Sequence, residues 1–194
     1  MRTIMTAFEN YRKTGETIGR LVVSYGELEF GIASLVGTIL DDLDMAVKVL
    51  FRTRGESQRI QVADALARQK ITPGKFRTRF EQTLGNVQHC LKIRNQYAHC
   101  NWIDRAERGL VFVNLEDVAT KNAHINEAKF PERPIDETTI ADQERFFVYV
   151  DDCLTTLRAD WLKERGEPYM PFDYPAQVPR PPLYKGQGAA DSRD

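Results

Sequence analysis

The sequence is poor in the residues on which disulfide scaffolds and metal centres depend. Its 194 residues include three cysteines and three histidines. Cys90, Cys100 and Cys153 have no short paired spacing, which disfavours a disulfide framework or a zinc site. His89 and His99 each precede a cysteine, but ten helical residues rotate by about 280° and would not bring the two pairs together. We therefore predict reduced thiols, no bound metal and no cofactor.

Membrane and targeting signals are also lacking. No stretch approaches the ~18 consecutive apolar residues of a membrane span, and no basic start leads into an apolar run with a small-residue cleavage site. There is no internal repeat, no glycine-rich phosphate loop, and no Ser, Thr or Cys with a base at convincing spacing. A hydrophobic fraction of 42% can still fill a continuous core. These features predict a cytoplasmic protein without a membrane partner.

The net charge of -1 conceals an uneven distribution. Residues 48–94 contain eleven lysines and arginines against three acids, a local charge of +8. A partner responds to this local field rather than to the total, so the stretch would attract a nucleic acid. The alternative is that it forms a solvated helical face.

Apolar spacings of three and four predict a mainly α protein. The predicted helices cover residues 14–43, 45–52, 57–70, about 75–99 and about 139–164. Glycines and small polar residues form one face of the first helix, where another helix can approach closely. These residues are Gly31, Ser34, Gly37 and Thr38.

Two segments do not follow the helical pattern. Residues 101–103 and 110–115 predict a small β-hairpin after the fourth helix, and residues 117–136 predict a polar surface excursion. Proline and glycine are frequent from residue 166 onward, which predicts an irregular tail. The predicted organisation is one helical domain over residues 1–165 and a Pro/Gly-rich tail over residues 166–194.

The segment from Arg94 to His99 closes the fourth helix. Arg94 falls on the same stripe as Leu91 and Ala98, where a leucine would be expected, and His99 stands at the helix end. An exposed helix C-terminus favours a cationic imidazole. This context distinguishes the segment from a chance pairing of Arg and His.

Residues 94–99, Arg-Asn-Gln-Tyr-Ala-His, resemble the Arg-(four to six residues)-His motif of the HEPN family. The resemblance covers roughly residues 14–165 and implies an up-down bundle of four to five helices. It implies a metal-independent endoribonuclease or an RNA-binding module, working as a homodimer in which two motifs share one cleft. Family members include toxins of toxin-antitoxin pairs, so an antitoxin or another protein partner is also implied. One branch carries a modified tyrosine two residues after the histidine, where this chain has Asn101.

The residue types suit RNA cleavage without metal. His99 can move protons to and from the reacting oxygens, and Arg94 can hold the phosphate through its planar fork. Asn95 is predicted to orient the imidazole or to bind substrate. Tyr97 points away from Arg94 and is predicted to pack or stack, with a substrate contact as the alternative. Glu29 is a carboxylate on an apolar stripe, so it either borders the core and reaches solvent or pairs with Arg94.

Helical arithmetic makes a second chain part of this prediction. Five residues at about 100° each place Arg94 and His99 about 140° apart, with about 7.5 Å of rise, in an unbroken helix. A two-fold axis, or a helix that ends at Ala98, would let both side chains face one phosphate. The competing interpretation is structural: Arg94 and His99 would form an interhelical salt bridge and a helix cap. The chain would then be a catalytically inactive helical interaction or scaffold protein.

Overall fold

The computed structural model describes residues 6–105, 109–115, 118–119 and 132–184. The chain is mainly helical with a small three-stranded antiparallel sheet, which confirms the predicted fold class at this level. The helices are α1 (Ala7–Asn10), α2 (Arg12–Leu40), α3 (Leu43–Arg52), α4 (Glu56–Arg68), α5 (Lys75–Ala98) and α6 (Glu137–Glu164). The strands are β1 (Cys100–Arg105), β2 (Gly109–Asn114) and β3 (Arg133–Pro134).

The aspartates after α2 separate it from α3, as their sequence positions predicted. Asp41 has a φ of 59°, a left-handed conformation in which the helix cannot continue. Asp42 then caps α3, because its carboxylate accepts a hydrogen bond of 2.8 Å from the Met45 amide. α2 therefore ends at Leu40, whereas the predicted helix ran to Leu43.

The predicted hairpin is confirmed, and a third strand extends it. β1 and β2 pair in register from Cys100 opposite Asn114 to Arg105 opposite Gly109. β3 pairs with β2 inside the segment that we predicted to be a surface excursion, so that prediction is wrong for Arg133 and Pro134. A two-residue strand containing proline has almost no local signal, since proline cannot donate to the ladder. Residues 116–117 and 120–131 of the same segment lie outside the described residues.

Contacts between Cα atoms divide the chain into two compact units. The sheet unit comprises the described residues of 1–22, 92–144 and 181–194, and the helical unit comprises 23–91 and 145–180. α2, α5 and α6 each contribute residues to both units. The residues of the predicted tail divide between the two units, with 166–180 in the helical unit and 181–184 in the sheet unit.

In the helical unit, α2 runs parallel to α6. Gly31 of α2 lies against Leu154 of α6, and a Cβ built on Gly31 would be 3.0 Å from the Leu154 Cδ1 atom. Further along, the Arg165 guanidinium donates to the Asp41 carboxylate at 2.7 Å. The contact that lies further along α2 also lies further along α6, so the two helices run in the same direction. It also confirms close helix approach at one of the predicted small residues.

α5 runs antiparallel to α6 in the same unit. Phe76, near the start of α5, packs on Trp161 with ring centroids 5.3 Å apart. His89, further along α5, makes an edge contact at 5.6 Å with Phe146, which precedes Trp161. This ring contact places His89 in the packing of the unit.

α2 satisfies the length and hydropathy conditions for a membrane span. An 18-residue window of this helix has a mean hydropathy of 1.2, and 44% of it is buried. We did not expect this from the sequence, because no stretch approaches the ~18 consecutive apolar residues of a membrane span. A helix packed in a protein core meets the same conditions, and Leu21, Tyr25, Leu28 and Ile32 are all buried.

Candidate functional site

Residues 94–99 connect the last turn of α5 to the first residue of β1 within the sheet unit. α5 ends at Ala98, His99 is in a turn, and β1 begins at Cys100. The angle of about 140° between Arg94 and His99 applies only to an unbroken helix. Because the helix ends before His99, the helical arithmetic does not set the direction of its imidazole. The predicted condition for a convergent site, a helix that ends at Ala98, is met.

Arg94 is half-buried and is held by its neighbour in the sequence. Its Nη1 atom donates a hydrogen bond of 2.9 Å to Oδ1 of Asn95. Asn95, which we predicted to orient the imidazole of His99 or to bind substrate, orients the guanidinium of Arg94 in this structure. A guanidinium with a fixed direction is suited to an anion, because its planar fork recognises phosphate oxygens in one geometry.

The buried row at the end of α5 differs from the predicted stripe. Ile93 and Tyr97 are buried, whereas Ala98 is exposed. The predicted stripe ran through Ala98, and that placement is wrong. A tyrosine ring buries far more surface than an alanine methyl group, so the helix turns Tyr97 inward. Arg94 thus lies at the border of the core, where its stem can pack and its head can reach solvent.

His99 is exposed. It directly follows the last helical residue of α5, where the carbonyl ends of the helix favour a positive charge. An exposed imidazole ring is accessible both to solvent and to a bound substrate. This exposure is compatible with the predicted proton-transfer role.

Tyr97 is a core residue of the sheet unit and is only 3% exposed. Its ring packs on Trp102, Phe112 and Tyr184, with centroids 6.0, 5.8 and 6.3 Å away. Its hydroxyl donates to the Gln143 side chain. Burial is the main cause that raises the pKa of Tyr97. The structure therefore supports the packing interpretation of Tyr97 over a direct substrate contact.

The C-terminal tail is hydrogen-bonded to the motif segment, which the sequence did not indicate. The Gln96 amide donates to the Tyr184 carbonyl at 2.9 Å and accepts from the Tyr184 amide at 3.2 Å. Nε2 of the fully buried Gln143 donates to the Pro182 carbonyl at 3.1 Å. The Tyr184 hydroxyl also bonds to the backbone of Asp136. The tail thus stabilises the helix end from which the candidate site projects.

Glu29 lies in the helical unit and has a different partner from the one we predicted. Its carboxylate accepts a hydrogen bond of 2.7 Å from Nη1 of Arg59, and the two side chains are 14% and 25% exposed. Arg59 also lies 5.4 Å from the centre of the Phe51 ring. The half-buried carboxylate thus pairs with an arginine. The periodicity of the sequence did not indicate whether this arginine would be Arg59 or Arg94.

Ion pairs neutralise part of the basic stretch over residues 48–94. The pairs are Lys48–Asp44, Arg59–Glu29, Arg68–Asp64, Arg77–Glu81 and Arg79–Asp160. Three of the acids lie outside the stretch, so a count along the sequence missed them. Exposed lysines and arginines that remain for a polyanion are Arg52, Arg54, Lys70, Lys75 and Lys92. The electrostatic field around residues 48–94 is therefore weaker than a local charge of +8 would produce.

The cysteines are poor candidates for nucleophilic chemistry. Burial raises the pKa of Cys100 to about 12, and it also raises the pKa values of Cys90 and Cys153. A thiol with a raised pKa remains protonated at neutral pH, and the thiolate is the reactive form. Over residues 6–105, 109–115, 118–119 and 132–184, no group of three His, Cys, Asp or Glu side chains is arranged to hold a metal ion.

Comparisons of the chain with protein-family models, curated proteins and solved structures return no match. The chemistry of the motif segment is consequently the basis for a functional proposal.

Proposed function

We propose that the chain is a HEPN-like, metal-independent RNA-cleaving or RNA-binding protein of the cytoplasm that acts through Arg94 and His99 in a homodimer. One observation carries this proposal. A half-buried guanidinium, oriented by Asn95, lies little more than one helical turn before an exposed imidazole at the helix end. The bundle arrangement and the dimer cleft of the HEPN family are parts of the same proposal.

The proposed reaction needs no metal and balances within the RNA. The 2′-hydroxyl loses its proton to a base and attacks the adjacent phosphorus, while the 5′-oxygen leaves and takes up a proton. The products are a 2′,3′-cyclic phosphate and a 5′-hydroxyl. Arg94 would stabilise the charge that develops on the phosphate oxygens. A homodimer would present two copies of His99, one for each proton transfer.

RNA cleavage in the presence of EDTA tests the proposal on the full chain. We expect wild type to cut at least one of a varied set of labelled RNAs, and His99→Ala to be slower by about 100-fold or more. Arg94→Lys keeps the charge but loses the fork, so it should also slow cleavage. Arg158→Ala is the matched control, since it removes an exposed cation that lies outside the basic stretch of residues 48–94. It should cleave at close to the wild-type rate.

Two results would contradict nuclease activity. One is an inactive wild type across all RNAs, together with normal growth of cells that express it. The other is activity that survives in His99→Ala. Salt-dependent RNA binding by an inactive wild type would support the RNA-binding module, because phosphate contacts weaken steeply with salt.

A second candidate is a catalytically inactive interaction or scaffold protein. The neutralised cations favour it, and so do exposed apolar side chains in the tail at Tyr169, Met170 and Phe172. Such a protein would bind an antitoxin or another protein partner and would show no affinity for RNA. Replacing Met170 and Phe172 with serine should then weaken partner capture, while His99→Ala should leave it unchanged.

A further inference from the structure

One side chain in the last turn of α5 holds the backbone of the C-terminal tail at two points. Nε2 of Gln96 donates to the Tyr184 carbonyl at 2.9 Å, and Oε1 of Gln96 accepts from the Tyr184 amide at 3.2 Å. Two paired residues of neighbouring antiparallel strands exchange the same two hydrogen bonds. Gln96 therefore fixes both the distance and the direction of the tail relative to the end of α5.

The end of the tail is also anchored elsewhere in the sheet unit. The Tyr184 hydroxyl donates to the Asp136 carbonyl and accepts from the Asp136 amide, both at 3.0 Å. The Tyr184 ring makes an edge contact with Phe112, with centroids 5.4 Å apart. The Pro182 carbonyl accepts from Gln143 at 3.1 Å. A tail held at its backbone, its ring and its hydroxyl can in turn hold the helix that contacts it.

The end of α5 needs such support, because its own sequence provides no strong cap. An α-helix leaves its last four carbonyls without partners inside the helix. α5 has no basic side chain in its last turn, and no glycine follows Ala98 to close the helix in the left-handed conformation. The Cys100 thiol donates to the Tyr97 carbonyl at 3.0 Å, but a thiol is a weak donor. Helix ends fray, and Gln96 lies in the middle of the turn that would unwind.

Unwinding of this turn would alter the candidate site. A residue advances by about 1.5 Å in a helix and by about 3.3 Å in an extended chain. Converting residues 95–98 from helix to extended chain would therefore lengthen the path between Arg94 and His99 by about 7 Å. A misplacement of about 1 Å can already slow a reaction by about 100-fold. The separation of guanidinium and imidazole thus depends on an intact last turn.

We propose that Gln96 and Tyr184 are positioning residues, which set the separation of Arg94 and His99 by preventing the last turn of α5 from unwinding. Both act through α5 and neither contacts the substrate. Their effect on cleavage rests on the proposed function, and it adds a requirement for the C-terminal tail that lies outside residues 94–99. Their effect on the order of Arg94 and His99 is independent of RNA.

Gln96→Glu in the full chain tests the hydrogen-bond pair, because a carboxyl group replaces the amide only when it is protonated. At pH 7 the carboxylate accepts from the Tyr184 amide but has no donor for the Tyr184 carbonyl. The protonated carboxyl group has both again. Burial raises the pKa of a half-buried carboxyl group above its ordinary value of about 4.3, so protonation begins near pH 5. The Thr139 hydroxyl holds the pKa of Asp136 below its usual range, so Asp136 stays ionised at both pH values.

We expect Gln96→Glu to lower kcat for RNA cleavage at pH 7 by about tenfold or more, with little change in KM. The ratio of its kcat to that of wild type should rise as the pH falls to about 5. Gln88→Glu is the matched control, since it makes the same change at an exposed position of α5. It should follow wild type at both pH values.

Two measurements separate positioning from a contact with substrate. Tyr184→Phe removes the bonds to Asp136 and adds no charge, and it should lower kcat by several-fold with KM unchanged. NMR of the chain without RNA reports on the site directly. The guanidinium signal of Arg94 and the ring C–H signals of His99 should shift or broaden in Gln96→Glu at pH 7, and they should match wild type again at pH 5.

Wild-type kcat and wild-type NMR signals in Gln96→Glu at pH 7 would overturn the proposal. A loss of kcat that persists at pH 5, that Gln88→Glu shares, or that Tyr184→Phe does not reproduce would also overturn it. An inactive wild type would refute only the proposed nuclease reaction. The NMR signals would then decide by themselves whether the tail positions Arg94 and His99, and unchanged signals would mean that it does not.

Discussion

The hydrogen bond between Tyr97 and Gln143 allows a quantitative test of how the candidate site is supported. Gln143 is fully buried, and its two polar atoms are both used, one by the Tyr97 hydroxyl and the other by the Pro182 carbonyl. Tyr97→Phe keeps the ring packing and removes only the hydroxyl. The Gln143 carbonyl oxygen then has neither its donor nor access to water.

The expected loss follows from this burial. A buried acceptor left without a partner costs about 1–3 kcal/mol, whereas an exposed substitution changes stability by less than about 0.5 kcal/mol. For a chain of this length, each kcal/mol lowers Tm by about 2–4 °C. Replacing Gln143 with leucine in the Tyr97→Phe background removes the orphaned oxygen. The double variant should therefore recover much of the loss, because Pro182 is exposed and its carbonyl can bind water.

Urea unfolding followed by near-ultraviolet circular dichroism measures these differences in the free energy of unfolding. Tyr169→Phe is the matched control, since Tyr169 is 40% exposed. Alkaline pH gives a second readout. Burial raises the pKa of Tyr97, so the stability from its neutral form is complete below about pH 10 and is lost as the pH rises further. Tyr97→Phe should flatten this loss.

Two results would refute the reasoning. The first is a Tyr97→Phe variant as stable as the Tyr169→Phe control, which would mean that the hydroxyl is solvated. The second is a double variant no more stable than Tyr97→Phe alone, which would mean that the orphaned oxygen is not the cause. A reduced rate of RNA cleavage with unchanged stability would instead indicate that Tyr97 contacts substrate.

Three further predictions concern the helical unit and the thiols. A double-mutant cycle on Glu29→Gln and Arg59→Gln should give a coupling of about 1 kcal/mol for this partly buried pair, and additive effects would contradict the ion pair. Gly37→Ala should destabilise by about 1–3 kcal/mol in urea unfolding, because its Cβ would be 2.7 Å from a backbone atom. Gly31→Ala should cost less, since the atom it meets belongs to a flexible side chain; the reverse order would refute this. The raised pKa of Cys100, about 12, predicts stability that is complete below about pH 8.5 and declines above it. Cys100→Ser should show a shallower decline, and an unchanged pH profile would be contrary evidence.

Much of the helical layout was predictable because it depends on local spacing. The apolar repeat of α2 and the three aspartates after it predicted a helix and a break close to the observed ones. The first helix, α1, was missed because four residues are too few to show a period. β3 was missed because a strand of two residues exists only through its pairing with β2.

The candidate site also has features that the sequence predicted and features that it did not. Arg94 and His99 were identified from residue type, order and the helix end that follows. Their surroundings were predicted only in part: Tyr97 packs in the core as expected, whereas the hydrogen bond from Arg94 to Asn95 was not predicted. The identity of a neighbour depends on which face the helix turns inward, and the packing of the sheet unit decides that.

The sequence by itself determined that the chain is mainly helical, that a hairpin follows the fifth helix, and that an arginine and a histidine flank that helix end. Tertiary structure alone decided that Glu29 pairs with Arg59 and that Gln96 binds the tail at Tyr184. Periodicity depends on the few residues of a helical turn, so it is readable along the chain. Partners 30 or 88 residues apart are selected by the packing of whole elements, which local pattern does not encode.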